Sequence, residues 1–187
     1  MKTVRNIRGL ALSGVAALGL IAMTPAFAES DYVTGNGPIS ASANLDFEVN
    51  IPRFISFQVG SAGAVVDLVQ FDVNGNDVGN GTPVARTGGA AVPVTLVSNV
   101  GNVTLSASGS NAGLEDGASV IPWSTITGSS SNAAELPVPA IDGAGTVLTA
   151  TNGVIDATAD WTFQYANSDI VAAGTYEGTV TYTVTAP

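Results

Sequence analysis

From residue 39 to residue 51 the chain alternates without a break. Ile39, Ala41, Ala43, Leu45, Phe47, Val49 and Ile51 fall on one side; Ser40, Ser42, Asn44, Asp46, Glu48 and Asn50 fall on the other. Successive side chains of an extended strand point to opposite faces, so a period of two held this long predicts a strand with one apolar face. Pro52 has no N–H to give to a ladder and ends or bends that strand. Residues 53–59 continue the pattern with Ile55, Phe57 and Val59.

Further strands follow from the same reading. Residues 64–73 are rich in apolar side chains and end at Asn74-Gly75, a pair that tolerates the positive φ of a tight hairpin turn, with a return strand starting at Asp77-Val78. Residues 79–91 read as a loop. Residues 92–97 and 102–107 read as two strands. Residues 108–135 are rich in Ser, Gly and Asn, interrupted by the more apolar 120–126. Residues 147–150 and 160–165 follow, the latter with Trp161, Phe163 and Tyr165 on one face. The last strand spans 175–185. Tyr176, Gly178, Val180, Tyr182 and Val184 share its core face, and Thr175, Glu177, Thr179, Thr181, Thr183 and Thr185 its solvent face. No helical stripe occurs beyond residue 28. Short strands separated by turn signals predict an all-β sandwich of about seven to nine strands. The aromatic residues lack the girdle spacing of a membrane barrel.

The first 28 residues are different. Lys2, Arg5 and Arg8 precede an uncharged apolar stretch, residues 10–23, and Ala26-Phe27-Ala28 closes the segment. That order predicts a cleaved secretory signal peptide, because the apolar stretch is shorter than the roughly 20 residues of a spanning helix. The expected mature chain, 29–187, is then a single exported domain with no membrane span.

Beyond residue 28 the only cations are Arg53 and Arg86, against all fifteen acidic residues, and the whole chain contains no His and no Cys. Disulfides, thiolate metal sites, histidine-based zinc sites and Cys- or His-dependent nucleophilic catalysis are thereby excluded. So acidic a surface repels phosphate, which argues against nucleic acid as a partner. No enzymatic activity and no cofactor are expected. Asp72-Val73-Asn74-Gly75-Asn76-Asp77 places oxygen ligands at alternate positions, as calcium loops do, but Asp77 and Pro83 stand where an EF-hand needs Gly and Glu. Asp156 and Asp160 suggest an acid–base pair only if a cleft brings them together, and Trp123 and Trp161 a sugar platform only if their rings are exposed. Lys, a common guard of exposed strand edges, is absent beyond residue 28, which leaves alternating edges able to pair with another chain.

Long alternating segments at 39–51 and 175–185 resemble those of chaperone–usher-type fimbrial subunits. The final stretch AAGTYEGTVTYTVTAP carries Gly174 fourteen residues from the end, where that family has a Gly, and Ala186 where it has Tyr. The resemblance implies that the sandwich is an incomplete immunoglobulin-like β-sandwich whose missing strand comes from the N-terminal extension of the next subunit. It makes residues 29–50 the extension and Ile39, Ala41, Ala43, Leu45, Phe47 and Val49 the donor face. It also implies other copies or related subunits as partners, a periplasmic chaperone, and a cell-surface fibre as the destination. The C-terminal half is also similar to WxL surface domains, which bind cell walls. Tyr182-Thr183-Val184 and Val103-Thr104-Leu105 stand at the Trp-x-Leu positions.

Overall fold

The computed structural model describes residues 31–63 and 66–187. The expected signal peptide, 1–28, lies outside the described residues. The chain divides into two units, Met1–Asn50 and Ile51–Pro187.

The second unit is an all-β sandwich. Its strands are β1 (Ile55–Val59), β2 (Val84–Ala85), β3 (Val92–Ser98), β4 (Val103–Gly109), β5 (Gly113–Asp116), β6 (Ser119–Pro122), β7 (Ile126–Ser130), β8 (Thr146–Leu148), β9 (Ile155–Tyr165) and β10 (Val180–Thr185). A 3₁₀ turn, Trp123–Thr125, leads into β7. Among the described residues no helix is long and apolar enough to cross a membrane.

One layer is centred on β9. Residues 155–161 of β9 pair antiparallel with β3, and Gln164 and Tyr165 pair with β2. Residues 161–165 also pair with β7, so β2 and β3 share one edge and β7 takes the other. β1 lies outside β3. The second layer runs β10, β4, β8, all antiparallel. β5 and β6 form a separate hairpin whose Glu115 bridges Glu177.

Burial explains the layering. Every second residue of β9 from Ile155 to Tyr165 is buried and the intervening ones are exposed. Val92, Val94 and Leu96 of β3 and Ala157, Ala159, Trp161 and Phe163 of β9 form the core with Val103 and Leu105 of β4 and Leu148 of β8. Trp161 from one layer meets Tyr182 from the other, ring centres 5.1 Å apart. Leu136, fully buried within the connection between β7 and β8, accepts the Trp161 Nε1–H on its carbonyl at 3.1 Å.

Several expected elements differ. The described part of 64–73 forms no strand. Its carbonyls are held by the Arg86 guanidinium at Leu68 and the Thr87 N–H at Gln70 rather than by a neighbouring strand. Val69 and Phe71 still reach the core, while Val66 and Leu68 stay exposed. The expected hairpin at Asn74-Gly75 is a hydrogen-bonded turn without flanking strands, with Asp77 N–H on Asn74 O, and Gly75 keeps an ordinary φ. The region 108–135 holds a hairpin and β7. The final strand starts at Val180 rather than at 175, because upstream of it Glu177 exchanges both main-chain hydrogen bonds with Glu115 of β5, beside Trp123, instead of joining β4. A Cβ on Gly178 would come within 2.8 Å of that indole.

Candidate functional site

Residues 39–50, expected as a strand, form none within the first unit. Ile39, Leu45, Phe47 and Val49 are 57%, 66%, 87% and 82% exposed, and Ala41 and Ala43 are exposed as well. The polar face, including Asp46 and Glu48, is exposed too.

Within the second unit, β1 and β10 are edge strands, one in each layer. They approach within 8 Å between Cα atoms without pairing. Their free edges can be read from the ladders. Ser110 N–H bonds Thr179 O, and hydrogen-bonded pairs alternate along an antiparallel ladder. With the register Thr181–Ser108, Thr183–Ser106 and Thr185–Thr104, those threonines turn their main chain to β4. Val180, Tyr182 and Val184 therefore present N–H and C=O groups outward. The same argument, from Gly60 N–H on Pro93 O, leaves the main chain of Ile55, Phe57 and Val59 on the open side of β1.

The side chains of those residues face the core but are incompletely covered. Val180, Tyr182, Val184, Phe57 and Val59 are half-buried, and Ile55 is exposed. Tyr176 is half-buried and Gly178 exposed, both upstream of β10. At the end of this edge an open recess of ≈ 470 Å³ is lined by Arg53, Phe54, Ile55, Val100, Ala186 and Pro187. Burial drives the Tyr182 phenol up to about 12.

Elsewhere the side chains are committed to structure. Trp123 is buried, with its Nε1–H on Asn111 O at 2.8 Å, and Trp161 is fully buried, so neither ring offers a sugar platform. Asp156 and Asp160 stand on the exposed face of β9, about 13 Å apart along the strand. That exceeds the roughly 5–9.5 Å of paired glycosidase carboxyls. Asp72 accepts the Thr87 hydroxyl at 2.8 Å and the Gln70 amide at 2.9 Å, and these bonds, Thr87's first, hold its carboxyl below the usual range. Asp67 is lowered by the Ser61 hydroxyl and then the Ser61 N–H. Among the described residues no three acidic side chains converge as a metal site. A half-open pocket of ≈ 260 Å³ beside β7, lined by Ile126, Thr127, Gly128, Val138, Pro139, Ala140, Ile141 and Phe163, holds no titratable group.

Sequence reasoning missed Asn167. It is 1% exposed at a φ of 50°, and its side chain takes the Gly79 N–H and donates to Asp77 O and Asn80 Oδ1. Asn's tolerance of positive φ was the one available signal.

No family model, no curated protein and no solved structure matches this chain.

Proposed function

We propose that this protein is an exported structural subunit that assembles into a surface fibre by strand addition. Residues 39–50 of one copy lie along the free edge of β10 in the next. Their main chain continues the β10 ladder, and Leu45, Phe47 and Val49 cover the half-buried Val180, Tyr182 and Val184. Main-chain hydrogen bonds supply affinity in such a joint, and alternate side chains entering pockets supply specificity. The incomplete immunoglobulin-like sandwich, transit through a periplasm with a chaperone on the open edge, and adhesion at the cell surface belong to this reading.

One observation carries it. A single chain holds both an exposed alternating apolar segment and an edge strand whose core-facing side chains are only half covered. Each is the chemical complement of the other: one lacks a ladder and a core, the other has a core and an open ladder.

The purified mature protein, run on a denaturing gel without heating, should give a ladder of oligomers that collapses to one band on boiling. Deleting residues 29–50 should abolish the ladder. It should leave the urea midpoint of the remaining sandwich within about 0.5 kcal/mol of the full chain, since Ile51–Pro187 has its own core. Fibres of normal length from the deletion would overturn the reading.

A further inference from the structure

Two guanidinium groups serve the chain beyond residue 28. That of Arg86 is used within the fold, donating to Ala90 O at 2.9 Å and Leu68 O at 2.8 Å. That of Arg53 is not. It makes no hydrogen bond or ion pair within the described residues. It is exposed at the rim of the open recess formed with Phe54, Ile55, Val100, Ala186 and Pro187. In a chain of formal net charge −10, an uncommitted cation stands at the mouth of the open edge.

The segment that enters this edge has the opposite character. Residues 31–50 carry Asp31, Asp46 and Glu48 and no cation. Asp46 and Glu48 interleave with Leu45, Phe47 and Val49, so they occupy the far face of the same extended segment. When the apolar face seats on the core, both carboxylates remain at the solvent rim, where a charge can be met without desolvation.

A strand-addition joint also needs a register signal. Because side chains repeat every two residues, a slip of two restores the apolar face and the ladder together. Ala41, Ala43, Leu45, Phe47 and Val49 differ in size, yet all are apolar and fit a half-open edge. A slip of two, about 7 Å, also brings Glu48 to the place of Asp46, so these charges single out the segment as partner and leave the register to the differences in side-chain size.

We propose that Arg53 is the recognition residue of the joint, pairing with the Asp46/Glu48 carboxylates of a second copy. The inference rests on the strand-addition reading and names the partner surface within it. The planar guanidinium suits a carboxylate, with two donors per face of the fork. A rim charge of this kind acts chiefly on the rate of association and its salt dependence.

The experiment follows ladder formation by full-length mature protein at low and high ionic strength. Arg53→Glu should assemble at least ~10-fold more slowly than wild type at low salt. The ratio should approach one in 1 M NaCl, where the Debye length is only about 3 Å. The double variant Asp46→Lys, Glu48→Lys should be slowed likewise. An equimolar mixture of the two slowed proteins should recover to within ~3-fold of wild type, since each then offers the other a complementary joint. Unchanged urea midpoints of both variants confirm that folding is intact. Wild-type rates for Arg53→Glu at low salt, or failure of the mixture to recover, would overturn the inference while leaving strand addition standing. Absence of a ladder from wild type itself would overturn both.

Discussion

Asn167 and Tyr182 show how much single side chains decide. Asn167 is a buried amide with every polar atom committed to the 77–81 turn. Replacing it with Ala strands the Gly79 N–H and leaves the Asp77 carbonyl with the Asn80 N–H alone, and Asn167→Ala should cost about 1–3 kcal/mol in a urea titration. Asn167→Asp should cost no less, because a carboxylate would face Asp77 O and Asn80 Oδ1 where an amide now donates. Tyr182 predicts a pH effect. Its phenol titrates at 10.0 when free and at about 12 in the fold, raised by burial. Between those values the folded state holds a proton that the unfolded chain has lost, so the stability it contributes is full below pH 10 and is lost as pH rises through about 12. Tyr165 is shifted the same way, by burial first and then by Asp169 and Tyr176. Urea midpoints measured from pH 8 to pH 11.5 should therefore fall at the alkaline end, and Tyr182→Phe should flatten that fall without removing it.

At the level of elements, β10 is the informative strand. Its burial alternates along its whole length, half-buried at Val180, Tyr182 and Val184 and exposed at Thr181, Thr183 and Thr185. Val180→Asp sets a charge facing the core at a half-open edge and should cost about 1–3 kcal/mol; Thr181→Asp, one residue on and facing solvent, should stay within about 0.5 kcal/mol. Equal losses in urea midpoint would mean that the register against β4 is wrong by one residue. The two ends of the 175–185 alternation also separate here. The pattern continues through Tyr176, but only 180–185 join β4, because β4 ends at Gly109 opposite Val180 and Glu177 pairs with Glu115 of β5 instead. A local period sees the face a residue would take, not whether a neighbouring strand is there to receive it.

For the whole molecule, charge sets the terms of association. Two copies of the mature chain, each with two arginines against fifteen acidic residues (2 − 15 = −13), repel each other, and screening relieves that repulsion. Raising ionic strength from about 0.01 M to about 0.15 M shortens the Debye length from about 30 Å to about 8 Å. Wild-type assembly, followed by light scattering, should therefore speed up over that range, even as the specific disadvantage of Arg53→Glu shrinks. The two effects are separable, because the first belongs to the summed charge and the second to one pair.

The alternation of residues 92–97, 102–107 and 160–165 by itself determined that these segments are strands, and which of their side chains enter the core, because burial on one face of a pleated sheet requires a period of two; that the last of them begins at Ile155, five residues earlier than expected, came from its pairing with β3. The same pattern at 39–51 was equally legible but has no strand beside it in the described fold, since alternation specifies a face and not a partner. The tertiary structure decided the rest. It left β1 and β10 at edges of the two layers, put Arg53 at the rim of the recess beside them, turned both tryptophans inward, and made the described part of the expected strand at 64–73 a loop held by Arg86 and Thr87. Each of these depends on contacts between residues far apart in the chain, for which local hydrophobic order carries no signal.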